Sequence, residues 1–249
     1  MTFKDHFSIE SPNYARFRPR YGRELFAWLA GLVSGHRLAW DCATGNGQAA
    51  VPLGEFFDRV IATDASEDQI RSATADQRVE YRVAQAEKTD LEAASCDLIT
   101  VAQALHWFDL PAFYAEAKRV LKPEGVLAVW SYNLLRIDPA VDAVVNRFYA
   151  ETVGPFWPAE RKMVENGYRG LPFPFDEINA PEFSMTTEWP LDALLGYLRT
   201  WSASKRYQQT LGQDPVTLIE DGLRDAWPDT EKPIQVRWPL AVRAGRRPS

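Results

Sequence analysis

Two short stretches of this chain hold most of its chemistry. In the first, Asp41-Cys42-Ala43-Thr44-Gly45-Asn46-Gly47-Gln48, an apolar run ends in a carboxylate and passes through a turn of small residues into a helical pattern. Gly45 and Gly47 carry no Cβ, so the backbone there can lie close to a ligand, and the helix beyond offers unpaired N–H groups. In the second, Val60-Ile61-Ala62-Thr63-Asp64, another apolar run ends in an acid. The acid follows the turn by about twenty residues, the spacing that sets a carboxylate at a sheet edge to accept ribose hydroxyls. Turn, helix and acid together point to a ligand of adenosine type. A dinucleotide enzyme shows much the same block, and Gly45-Asn46-Gly47-Gln48-Ala49-Ala50 fits the loose G-x-G-x-x-A form, so two ligand classes stay open.

The surrounding pattern supplies the elements that must hold these residues. Apolar and β-branched runs predict strands over 36–41, 59–64, 79–83, 97–102 and 126–131. Helical spacing predicts helices over 23–33, 47–57, 68–75 and 110–121, with a turn at Pro123-Glu124-Gly125. Strands alternating with helices indicate a parallel sheet covered on both faces. Beyond Tyr132 the rhythm changes. An amphipathic stretch over 139–150 is followed by an aromatic, proline-rich segment over 155–175, read as an irregular cap, then a strand over 182–189, helices over 191–201 and 215–227, and a last strand over 234–242. The basic run from Arg243 to Arg247 reads as a solvated tail.

Further residues now support a resemblance. Asp41-Cys42-Ala43-Thr44-Gly45-Asn46-Gly47 resembles the D-x-G-x-G-x-G motif of class I S-adenosylmethionine-dependent methyltransferases, with Ala43 where the family has glycine. Asp64 matches the family's ribose-binding acid. Val83-Ala84-Gln85-Ala86-Glu87 is similar to its G-D-A-E segment, with Gln85 in place of the acid that meets the adenine amine; Gln85 also has an accepting oxygen. Gln103-Ala104-Leu105-His106-Trp107-Phe108 resembles the branch of methyltransferase type 11 and trans-aconitate methyltransferase-like proteins. Val120-Leu121-Lys122-Pro123-Glu124-Gly125-Val126-Leu127 is similar to the turn before the family's fifth strand, with Glu124 replacing a glycine.

The resemblance implies an α/β, Rossmann-like, doubly wound sheet of seven strands, mostly parallel, with an antiparallel last strand inserted beside the fifth, plus a helical cap. It divides the chain into an N-terminal lid and helix (1–34), a cofactor-binding core (35–132), a substrate-side cap with the sixth strand (133–232) and a last strand and tail (233–249). It implies S-adenosylmethionine as cofactor, S-adenosylhomocysteine as product, and cofactor contacts from Asp41, Ala43, Thr44, Gly45, Gly47, Asp64, Ala65, Gln85, Ala86 and Gln103. Tyr14 and Arg18, with Tyr21, are expected to form a lid, since a sulfonium favours aromatic faces. Trp107 either stacks on the adenine or fills the core. His106 either acts as a general base or lines the site.

Composition narrows the function. The net charge is −6, and an acidic chain without clustered Lys and Arg is a poor nucleic-acid binder. Two cysteines and three scattered histidines give neither a disulfide framework nor a metal site. No signal-peptide core or membrane span is read, so a cytoplasmic location is expected, with a monomer or homodimer. The reaction expected is in-line methyl transfer to a small acceptor such as a carboxylate or hydroxyl. A nucleotide-dependent oxidoreductase and a scaffold without turnover are the alternatives. Arg136, Arg147, Arg161, Lys162, Arg169, Arg199, Lys205 and Arg206 are the cap cations available to a carboxylate.

Overall fold

The structure is a computed structural model and describes residues 19–229 and 232–248. Its centre is a sheet of β1 (Leu38–Cys42), β2 (Arg59–Asp64), β3 (Val79–Val83), β4 (Cys96–Ala102), β5 (Leu121–Tyr132), β6 (Asp176–Ile178), β7 (Phe183–Trp189) and β8 (Ile234–Arg246). The order is β3-β2-β1-β4-β5-β8-β6, with β7 also paired to β8. The first five strands are parallel, and β8 runs antiparallel between β5 and the outer strands. The sixth position is shared: β6 covers the C-terminal end of β8 and β7 its N-terminal half. The expected seven-stranded arrangement with an inserted antiparallel last strand therefore holds, and the three-residue β6 is the piece that short apolar runs did not reveal.

Side-chain alternation explains the layers. Along β1, β2, β4 and β5, neighbours point to opposite faces. Ala39, Val60, Leu98 and Val126 pack on one face with α1 (Arg23–Gly31) and α2 (Ala50–Leu53). Trp40, Ile61, Ile99 and Leu127 pack on the other with α4 (Leu110–Val120), through Phe113, Ala117 and Val120. The short α3 (Glu67–Arg71) starts at Ser66, whose hydroxyl accepts from the Gln69 N–H. A third apolar cluster joins α5 (Pro139–Arg147), α7 (Leu191–Thr200) and β7 to Trp238 and Val236 of β8. This is the cap, completed by α6 (Arg161–Glu165), α8 (Ser202–Leu211) and α9 (Glu220–Ala226).

Three expectations need correction. The helix foreseen over 47–57 is regular only in α2, because the chain makes turns on both sides of it. The turn at 123–125 lies inside β5 as a bulge, where the register with β4 jumps from Cys96↔Leu121 to Leu98↔Val126. The basic run 243–247 is not a solvated tail. Arg243 donates to the carbonyls of Tyr168 (2.7 Å) and Leu171 (3.0 Å) and lies over the Phe173 ring. Arg246 and Arg247 reach back to the carbonyls of Glu124 and Leu121.

Asp97 joins three segments. Its carboxylate accepts from the Arg37 N–H (3.0 Å) and the Leu38 N–H (3.1 Å) at the start of β1, and from Lys122 Nζ (2.6 Å) in the bulge. Asp97→Ala leaves these donors unmatched, and an expected loss of about 3 kcal/mol in urea unfolding follows. A loss below about 1 kcal/mol would show that water replaces the carboxylate.

Candidate active site

The chain leaves β1 toward β2 and β3 on one side and returns through β4 on the other, so a crevice opens at the carboxyl ends of β1 and β4. The turn after β1 occupies it. Ala43, Gly45 and Gly47 all have positive φ, at 55°, 57° and 91°. Gly47 has a second constraint: a Cβ there would lie 2.2 Å from the Tyr81 hydroxyl. Ala43 has the left-handed backbone that explains the family's preference for glycine, and alanine holds it at a cost of about 1 kcal/mol.

Two carboxylates fix this turn. Asp41 is 1% exposed. Its oxygens accept from Thr44 Oγ1 (2.6 Å) and Thr100 Oγ1 (2.7 Å). Burial raises its carboxyl to about 6, against the lowering effect of those two hydroxyls. Thr44 is also held by its N–H to the Thr63 carbonyl (2.9 Å). Asp64, at the end of β2, accepts from the Gly45 N–H and the Ser66 N–H, both at 2.9 Å. Ala65 follows, partly buried, and Ala86 is buried while Gln85 is exposed.

Beyond β4 the chain turns at Gln103, another residue with positive φ, 57°. Its Nε2 donates to the Tyr132 carbonyl (3.0 Å), and its buried Oε1 has no partner among the described residues. An unmatched buried acceptor on a strained residue is a frequent feature of binding sites. His106 and Trp107 follow on a short 3-10 turn, their rings 4.7 Å apart.

His106 Nδ1 lies 2.9 Å from the Tyr168 hydroxyl. The Leu105 backbone also hydrogen bonds to that hydroxyl. One proton lies between Nδ1 and the hydroxyl oxygen, and either group can supply it. Burial, helped by the nearby positive charge of Arg161, lowers His106 to about 4. Arg161 donates from Nε to the Tyr149 hydroxyl (2.8 Å) and from Nη2 to Asn133 Oδ1 (2.5 Å). Its guanidinium lies over the rings of Trp157 (4.6 Å) and Tyr149 (5.4 Å).

The structure thus groups Asp41, Ala43, Thr44, Gly45, Gly47, Asp64 and Ala65 at one end of the crevice, and Gln103, His106 and Trp107 at the end of β4. Tyr14 and Arg18 lie outside the described residues. Tyr21 packs edge-on against Trp130, with centroids 5.5 Å apart. Sequence reasoning did not single out Asn133, Tyr149 or Tyr168 for the site. They reach it from 27 to 62 residues beyond His106, and no local spacing announces them. Among the described residues, no group of three or more His, Cys, Asp or Glu is placed for a metal, and no helix is long and apolar enough to cross a membrane.

Comparison with known proteins agrees with this geometry. Residues 40–129 match the family described as a methyltransferase domain. A Dictyostelium discoideum protein provisionally named a methyltransferase is 37% identical over 245 residues, covering 96% of this chain and 93% of its own length. The structure of a protein described provisionally as a type II methyltransferase, from Anaeromyxobacter dehalogenans, superposes with a TM-score of 0.88 at 50% identity, covering 92% of this chain and 98% of that one. The chain belongs to the class I S-adenosylmethionine-dependent methyltransferases. The oxidoreductase alternative falls with that finding.

Two predictions follow from the site's electrostatics and backbone. Asp41, raised to about 6 from 3.8, contributes stability below about pH 4 that is lost as pH climbs through 6, about 3 kcal/mol in all. His106, lowered to about 4 from 6.5, has the opposite sign: stability present above pH 6.5 is lost as pH falls toward 4. The two offset each other between pH 4 and 6. In calorimetry across that window, Asp41→Asn is expected to make stability rise more with pH than in the parent, and His106→Gln to make it fall; parallel curves would refute the assignment. Ala43→Gly is expected to add about 1 kcal/mol to unfolding in urea.

Proposed function

We propose that the chain transfers a methyl group from S-adenosylmethionine to a small-molecule acceptor held under the cap, with the cofactor in the crevice between β1, β2 and β4. The observation that carries this reading is Asp64. Its two oxygens each accept one backbone N–H, which sets the carboxylate at the carboxyl end of β2, the place where a ribose-binding acid stands in such a sheet. The residues present fit the cofactor in two further ways. The left-handed turn 43–47 keeps side chains away from the crevice, and the unmatched Oε1 of Gln103 suits a donor such as the amino group of the methionine portion.

When bound, S-adenosylmethionine supplies a methyl group already activated by its sulfonium centre. The chain's task is then binding, orientation and exclusion of water. Asp41 is a positioning residue, since one oxygen serves Thr44 in the turn and the other Thr100 in β4. Gln85 and Ala86 border the adenine end, and Trp107 forms a wall beside His106. The cap elements from 133 onward lie on the acceptor side. Burial and Arg161 lower the His106 imidazole to about 4, which makes it a weak base, so its role is to line and orient the acceptor rather than to remove a proton from it.

Calorimetric titration with S-adenosylhomocysteine, with NADH as control, tests the reading. Asp64→Ala is expected to weaken S-adenosylhomocysteine binding by about 1–3 kcal/mol, roughly 5- to 150-fold, while His106→Ala leaves it nearly unchanged. Equal affinity in Asp64→Ala and parent would remove the ribose assignment.

A further inference from the structure

The cap holds one cation in a setting that solvation does not explain. Arg161 is partly buried. It lies over the rings of Trp157 and Tyr149, and hydrogen bonds to Asn133 and Tyr149 hold it there. No carboxylate among the described residues forms an ion pair with it. Glu165 is one hydroxyl away, accepting the Tyr149 proton. The two bonds use Nε and one N–H of Nη2, which leaves both N–H groups of Nη1 and one of Nη2 without a protein partner among the described residues. Arg147, Lys162 and Arg169 are exposed, Arg136 pairs with Asp142 and Arg199 with Asp214 and Glu220, and Arg206, also partly buried, donates to the Phe156 carbonyl.

The position matters as much as the pairing. Asn133 directly follows β5, and His106 lies just past β4, so Arg161 stands over the carboxyl ends of the two strands beside the crevice. Its charge is felt at His106. The Tyr168 hydroxyl engages Nδ1 of the imidazole, which leaves Nε2 as the ring nitrogen available to a ligand. The guanidinium therefore brings a positive charge and unused N–H groups to this region, where the nearest acid on its hydrogen-bond chain, Glu165, is engaged by the Tyr149 hydroxyl and not by Arg161.

We propose that Arg161, beside the imidazole of His106, is the anion-binding end of the acceptor site, and that the acceptor carries a carboxylate. This rests on the methyltransferase reading above. A guanidinium with parallel N–H groups matches the two oxygens of a planar carboxylate. A phosphate dianion draws a larger cluster of cations than the single Arg161 supplies. The stacked rings of Trp157 and Tyr149 hold the guanidinium in place, so little orientation is lost when the anion binds.

The test is thermal unfolding of the full chain saturated with S-adenosylhomocysteine, in the presence of acetate, succinate or benzoate, of the matching amides, and of phenyl phosphate. At about ten times its Kd, a carboxylate is expected to raise Tm by about 3 °C, with no shift from the amides. Arg161→Gln is expected to lose that shift, and Arg161→Lys to keep part of it, while both retain S-adenosylhomocysteine affinity within about twofold. That affinity also shows that the variants are folded. The proposal is overturned if no carboxylate shifts the parent, if amides or phenyl phosphate act as well as the acids, or if Arg161→Gln responds like the parent. Failure of the parent to bind S-adenosylhomocysteine would instead remove the methyltransferase reading itself.

Discussion

The arrangement of the crevice depends on where the Gly45 amide points, and Asp64 determines that. The hydrogen bond between them spans two strands, since Gly45 follows β1 and Asp64 ends β2. It holds the turn against the sheet and aligns the carboxylate with the opening at the switch point. Asp41 secures the same turn from beneath through Thr44, and through Thr100 it ties β1 to β4. Parallel pairing of β1 with both β2 and β4 brings these groups within reach. The sheet order, rather than any loop, therefore assembles the cofactor end.

The cofactor end was legible in the sequence because it is local. A strand, a turn and a helix of the first unit carry Asp41 to Gly47, and the next strand ends in Asp64, so spacing alone places them. The alternation of Ala39 with Trp40 and of Leu98 with Ile99 likewise announces a sheet buried on both faces. The acceptor end is non-local. Arg161 meets Asn133 across 28 positions and His106 meets Tyr168 across 62. Eight cap cations looked equivalent in the sequence, and only packing separates Arg161 from the rest. The basic run at the C-terminus was misread for the same reason, because the carbonyls that Arg243 meets lie 72 and 75 residues earlier.

The departures from the family's motifs have one physical character. Ala43 and Glu124 stand where the family has glycine, and both have a left-handed backbone, with φ of 55° and 64°. Conformation at these places is set by the fold and not by the residue. At Ala43 the constraint is the turn held by Asp64 and Asp41; at Glu124 it is the bulge in β5, whose carbonyl Arg246 engages. Such strain persists only where neighbours over-determine the backbone. The substitutions therefore alter stability more than shape, and the turn keeps the form that binding needs.

Across the crevice the polar groups are sorted by sign. On the β1–β2 side the chain presents acceptors: the two oxygens of Asp64, and behind them the buried Asp41. The Gln103 oxygen extends this set toward β4. On the cap side it presents the guanidinium of Arg161, with the His106 imidazole beyond β4 facing it. A positively charged cofactor and a negatively charged acceptor are the pair that such a division attracts, each to its own half. It also explains why His106 is neutral. Burial disfavours the charged ring and the neighbouring Arg161 adds repulsion, so the imidazole is pushed toward its neutral form and keeps its hydrogen bond to Tyr168. On the proposal above, the same cation that weakens His106 as a base gives the acceptor its orientation.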